Sequence, residues 1–275
     1  MNRQSYLADE SVKRFVDGWL RPRVQGGIPF HHSYTNAQTG QAWRCESLWQ
    51  AYELYQWNGK NFAENQCELD RLAQGMRRAM KEGDRRGFCR AAAGILKWGR
   101  VTRGNCEKLV ERGADALPTF KRAADLLRPD TADTSNLGCI PFMNAGWTKV
   151  YALMLDDFPI YDGRVGAALG YCVRLHCREQ GIASVPPSLR FRWGPSKGKH
   201  NRNPSVCGLK FPQLAASAPR AWAECNVRAA WVLNAVSGEG KFGSLEPKRR
   251  LRALEAALFM IGYELPTERR CSREC

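Results

Sequence analysis

Lys149 and Asp162 are the two residues of this 275-residue chain whose types and setting most suggest catalysis. The lysine lies in Gly146-Trp147-Thr148-Lys149-Val150. Thirteen positions on, the aspartate closes Phe158-Pro159-Ile160-Tyr161-Asp162, just before Gly163-Arg164-Val165. A deprotonated lysine amine attacks electrophilic carbon, and a carboxylate stabilises positive charge that develops beside it. The plainer account of a Lys and an Asp is a solvent-exposed ion pair, and the plainer account of Asp162 is that it caps a helix starting at Gly163.

Charge narrows the partner. The chain carries 42 Lys+Arg against 27 Asp+Glu, so 42 − 27 = +15, and a surface of that sign concentrates polyanions. Nucleic acid leads as the partner. No apolar run reaches the roughly 18 residues a membrane span needs, and Met1-Asn2-Arg3-Gln4 does not open a signal peptide. A cytoplasmic monomer with no membrane partner is expected. Hydrophobic residues make up 44%, enough to bury a substantial core, and no low-complexity linker separates independent domains. The eleven cysteines include no CxxC pair and read as reduced thiols. Cys172, His176, Cys177, Cys271 and Cys275 are the only set that suggests a metal, and their spacing is too loose to predict one. Neither a metal nor a cofactor is expected.

Apolar spacings of three and four dominate, and no segment alternates as an exposed strand does, so the fold is expected to be mainly α. Helices are predicted over 11–20, 44–56, 65–81, 84–98, 106–114, 116–127, 147–155, 163–179, 219–237 and 247–262. Between them lie Gly26-Gly27-Ile28-Pro29-Phe30-His31-His32, read as a loop, and a basic loop from Arg190 to Pro204. The second loop carries Trp193, Lys197, Lys199, His200 and Arg202, clustered cations of the kind that contact phosphate. Most of the tryptophans, Trp49, Trp98, Trp222 and Trp231 among them, read as core.

Gly146, Thr148-Lys149-Val150, Leu153-Met154, Leu155-Asp156, Pro159, Asp162 and Val165 together resemble the catalytic stretch of the helix-hairpin-helix DNA glycosylases, especially those acting on 8-oxoguanine. Phe191-Arg192-Trp193-Gly194-Pro195-Ser196, Asn201-Arg202-Asn203-Pro204 and Trp222-Ala223-Glu224-Cys225-Asn226-Val227-Arg228 are similar to a bacterial group with the same fold. The likeness covers roughly residues 90 to 240 and is a motif match. The hairpin reads Pro141-Phe142-Met143-Asn144-Ala145-Gly146 where the family has Leu-Pro-Gly-Val-Gly, and the stretch from Lys149 to Asp162 is shorter than in the eukaryotic-type enzymes.

The resemblance implies a helix-hairpin-helix DNA glycosylase-like fold with two helical lobes and a central cleft. Residues 1–275 would form one domain of this kind, with the hairpin and catalytic segment at about 136–180. It implies Lys149 as amine nucleophile and Asp162 as catalytic carboxylate. Asn144, Gly146, Thr148, Arg164, Lys197, Lys199, His200 and Arg202 are the DNA-binding candidates. Tyr161, Trp193, His31 and His32 are the candidates for a pocket that receives a flipped base.

Elementary chemistry agrees with those roles. Breaking an N-glycosidic bond leaves an oxocarbenium-like sugar, which a carboxylate stabilises. If an uncharged Lys149 attacks, a Schiff base and strand scission follow; if water attacks, Lys149 only positions DNA. The expected function is flipping and excision of a modified base from double-stranded DNA, the partner the resemblance implies, leaving an abasic site. Two roles stay open, base-excision repair of oxidised purines and phage defence against glucosylated hydroxymethylcytosine. The alternative is a noncatalytic DNA- or RNA-binding protein.

Overall fold

In the computed structural model the chain is mainly helical; the structure describes residues 1–36, 39–196 and 198–267. Two compact units divide it. The first comprises Met1–Arg3, Gln56–Tyr161 and Ala215–Trp231, and the second Gln4–Tyr55, Asp162–Leu214 and Val232–Cys275.

In the first unit, Phe62–Glu82 and Arg85–Trp98 form an adjacent helix pair. The first starts ahead of the predicted 65, because Asn61 and Glu64 make a reciprocal capping box that satisfies otherwise orphan amides. The second begins where Asp84 caps the Gly87 amide at 2.8 Å, as the sequence suggests. Ala116–Leu127 has its predicted bounds and Trp147–Met154 nearly so. Their apolar faces meet in a cluster of rings: Phe120 lies 5.5 Å from Phe88, 5.0 Å from Trp147 and 5.4 Å from Tyr151.

The second unit departs more from expectation. The predicted helix over 44–56 is replaced by a strand, Ala42–Cys45, and a shorter helix, Leu48–Glu53, capped by Ser47. That strand pairs antiparallel with His32–Thr35, so the first half of the chain contains a hairpin where none was predicted. Strands of four residues are too short to show an alternating pattern. What stabilises them is cross-strand pairing: Tyr34 sits opposite Trp43, and the two rings stack at 4.9 Å. The region predicted as one helix over 11–20 is a single turn, Glu10–Lys13, continued by wider π-type turns over Arg14–Leu20.

The two long helices of this unit, Gly163–Glu179 and Pro247–Ile261, are held close by the lack of a side chain at Gly262. A Cβ there would lie 1.9 Å from the Arg164 carbonyl oxygen, so only glycine lets the end of one helix rest on the first turn of the other. This contact brings Phe259 and Tyr263 to Arg164.

Candidate active site

Asp162 stands at the N-cap of Gly163–Glu179, its Oδ1 accepting from the amides of Arg164 at 2.9 Å and Val165 at 3.2 Å. The capping account of this residue is therefore correct as far as it goes, and a carboxylate at a helix N-terminus is favoured in its charged form. Gly163 and Gly194 come so close that a Cβ on Gly194 would lie 2.7 Å from the Gly163 Cα. The Gly194 amide donates to the Gly163 carbonyl at 3.3 Å. This backbone contact ties the basic loop to the turn that holds Asp162.

Three of the predicted DNA-binding residues gather here around Tyr263, which the sequence reading had not singled out. The Arg164 guanidinium lies over the rings of Phe259 at 4.3 Å and Tyr263 at 4.8 Å. Arg202 donates from Nε to the Tyr263 carbonyl at 3.4 Å. His200 Nε2 is 3.0 Å from the Tyr263 hydroxyl, and its Nδ1 is 3.4 Å from Glu264 Oε2. The hydroxyl also donates to Asn36 Oδ1 at 3.0 Å. Tyr34 completes an aromatic wall, its ring 4.8 Å from Tyr263 and stacked on Trp43.

The electrostatics are those of a partly enclosed cationic site. Burial first, and then the neighbouring Arg164, push the Arg202 pKa down to about 10, against the pull of Asp162 and Tyr263. Burial lowers Arg164 as well, with Asp162 opposing. Burial raises the phenols of Tyr34, Tyr55 and Tyr263, with the Arg164 charge opposing in each case. Nε to the Tyr263 carbonyl is the one hydrogen bond of Arg202 among the described residues. Its two terminal nitrogens remain for an anionic ligand, and a guanidinium fork matches phosphate oxygens.

Lys149 belongs to the first unit. It is 4% exposed and donates from Nζ to the Ala145 carbonyl at 2.7 Å. Its methylenes run past Gly99, where a Cβ would lie 2.5 Å from the lysine Cδ. Val150 and Leu153, close to it in sequence, are buried.

The remaining candidates are placed as follows. Asn144 accepts from the amides of Gly146 at 2.8 Å and Trp147 at 3.1 Å, starting the helix that carries Lys149, and donates to Asn105 at 2.9 Å. Gly146 is packed against Asn105, whose Nδ2 a Cβ would approach to 2.5 Å. Thr148 is fully buried; its hydroxyl donates to Asn226 Oδ1 at 2.6 Å and accepts from the Tyr161 amide at 2.8 Å. Together with Asn226 on the Pro159 carbonyl and Trp222 Nε1 on the Tyr161 carbonyl, both at 2.9 Å, it fixes the extended segment that ends at Tyr161. The Tyr161 side chain is itself fully buried.

Trp193 is buried, its Nε1 donating to the Phe211 carbonyl at 3.1 Å. His31 is exposed, whereas His32 is not a loop residue but opens a strand, buried with Nε2 2.9 Å from the Glu264 carbonyl. Lys199 is exposed, and Lys197 lies outside the described residues. Cys172, His176 and Cys177 are buried, while Cys271 and Cys275 lie outside the described residues. Among the described residues no group of three or more His, Cys, Asp or Glu side chains is placed to hold a metal ion, and no helix is long and apolar enough to cross a membrane.

Tyr34, Trp43, Tyr55, Phe259 and Tyr263 are the residues that sequence reasoning missed. Phe259 and Tyr263 carried a signal, an aromatic pair four positions apart at the end of a predicted helix. Tyr34 and Trp43 carried none until the hairpin was known. Protein-family models, curated proteins and solved structures yield no match to this chain.

Proposed function

We propose that this chain is a DNA glycosylase of helix-hairpin-helix type that takes a modified base out of the duplex and cleaves its N-glycosidic bond. One observation carries the reading. Asp162, the residue the motif marks as catalytic, is held by two backbone amides in a site that also contains Arg164, Arg202 and an aromatic wall. A carboxylate so held can face developing positive charge, the guanidiniums suit phosphate, and the rings suit a planar base.

In the reaction the C1′–N bond breaks with its electron pair leaving on the base, and Asp162 stabilises the sugar cation that remains. Water attack then gives an abasic site. Attack by the neutral amine of Lys149 gives instead a Schiff base and, by loss of the 3′ phosphate, a broken strand. An oxidised purine and a glucosylated hydroxymethylcytosine are the two substrate classes in view, corresponding to repair and to phage defence.

The test is incubation of the wild-type protein and Asp162→Asn with duplexes carrying 8-oxoguanine, uracil, alkylated bases, hydroxymethylcytosine or its glucosylated form, scoring released base. Release by the wild type alone, from one duplex, supports the reading and names the substrate. Equal release by Asp162→Asn removes the carboxylate from the mechanism.

A further inference from the structure

The stretch from Arg71 to Arg103 holds ten Lys and Arg against two carboxylates, Glu82 and Asp84, so 10 − 2 = +8 of the chain's +15 lies within 33 residues. It consists of the helix pair Phe62–Glu82 and Arg85–Trp98 with the residues just after it, all in the first unit. Gly83, at φ +68, and the Asp84 cap reverse the chain between the two helices. A Cβ on Gly94 would lie 2.8 Å from Leu72 Cδ2, and one on Gly87 3.2 Å from the Ala79 Cβ. The facing positions 72 with 94 and 79 with 87 run in opposite directions, so the helices are antiparallel and in close contact.

Their inner faces bury Leu69, Met76 and Ala79 on one side and Phe88, Ala92, Ile95 and Leu96 on the other. Helical periodicity then sends the cations outward in two stripes, Arg71, Arg78 and Lys81 on the first helix and Arg86, Arg90 and Lys97 on the second, all exposed. Arg77 is paired with Asp156 at 2.7 Å, and Arg90 lies 3.7 Å from Asp84. Arg71, Arg78, Lys81, Arg85, Arg86 and Lys97 have no carboxylate within 4.0 Å among the described residues.

We propose that the outer face of this helix pair binds the phosphate backbone of duplex DNA without regard to sequence, as a surface separate from the Asp162 site. Like charges this dense repel one another, and a polyanion relieves that repulsion. From Arg71 to Lys81 the helix rises about 15 Å, a length over which B-DNA carries about nine phosphates. Eight of the ten cations are arginines, whose forks suit phosphate. An anionic membrane fits less well, because a helix lying in a bilayer surface needs an apolar outer face. Among the described residues the exposed large hydrophobic ones are Met1, Ile28, Leu54 and Val110, all outside this stretch.

The test is binding of an unmodified duplex of about two helical turns, followed by fluorescence anisotropy across a salt series. Two triple variants of the full chain remove the same charge from exposed positions: Arg71→Gln/Arg78→Gln/Arg86→Gln on this face, and Lys13→Gln/Lys210→Gln/Lys248→Gln elsewhere. The slope of log K against log salt is expected to fall by about 2 to 3 in the first and by less than about 1 in the second. Equal slopes in the two triples, an unchanged slope in the first, or no duplex binding by the wild type overturns the proposal. So does loss of co-sedimentation with phosphatidylserine vesicles in the first triple while its duplex binding is retained, which assigns the face to membranes. Binding of an unmodified duplex involves no excision. A chain inactive on every modified base would leave this result standing.

Discussion

Lys149 sets its ammonium on the Ala145 carbonyl, and Gly99 makes room for its methylenes. Asp162 lies among charges and a ring, with Arg164, Arg202 and Tyr55 within electrostatic reach. The difference teaches that the two residues are specified in different ways. Space and reach define the lysine, whereas the aspartate is defined by a field and by a cap that any good N-cap residue can supply. Substitutions should separate these two kinds of dependence.

The largest effect is expected at Asp162. Asparagine caps a helix about as well as aspartate, so Asp162→Asn should lose base release on the order of a thousandfold while its unfolding free energy stays within about 0.5 kcal/mol of wild type. Asp162→Ala should lose the same activity and about 1 kcal/mol of stability as well. Denaturant melts alongside the release assay distinguish these outcomes, and equal loss of stability in both variants would show that the charge, not the cap, holds the turn. Lys149→Gln should abolish borohydride trapping of the protein on DNA and retain base release. Loss of both together would mean that the amine is needed before the glycosidic bond breaks.

A smaller effect follows from the segment that ends at Tyr161. Thr148→Val strands the buried Tyr161 amide and one lone pair of Asn226, at a cost of about 1–3 kcal/mol, readable as a lowered denaturation midpoint. A melt matching wild type would show that the hydroxyl is dispensable to that segment. Trp43→Ala removes a cross-strand ring pair and should cost about 1 kcal/mol beyond the lost buried area, together with some affinity for a base-modified duplex. Unchanged affinity would take the aromatic wall out of recognition.

The smallest effect is a pH dependence. Burial lowers the His32 pKa from its ordinary 6.5, only partly offset by its bond to the Glu264 carbonyl. The unfolded chain therefore takes up the proton first. The contribution of His32 is complete above about pH 6.5 and is lost as pH falls below that value. His176 shifts in the same direction, so His32→Gln should flatten the stability curve between about pH 7 and 5 without levelling it. A curve of unchanged slope would assign the acid sensitivity to other groups.

Much of the helical framework was legible in the residues. Asp84 before an apolar-periodic run, Pro219 and Pro247 at helix starts, and the 3.6-residue spacing over 116–127 are local signals, and the helices follow them. The hairpin was not legible, because Tyr34 and Trp43 acquire their meaning only when they face each other across strands of four residues. Of the basic loop, His200 and Arg202 reach the Asp162 site, whereas Trp193 turns inward to the Phe211 carbonyl. Loop composition does not encode which way a side chain faces.

The sequence by itself determined the helical class, the charge and its concentration between Arg71 and Arg103, and the cap at Asp162, since each depends on residues within a few positions of one another. Tertiary structure alone decided that Tyr34, Arg164, Arg202 and Tyr263 share one site. These residues come together because Gly262 lets one helix end rest on another helix's first turn and Gly194 lets a loop touch Gly163. The close approach of backbones far apart in the chain is a consequence of packing, and no local pattern records it.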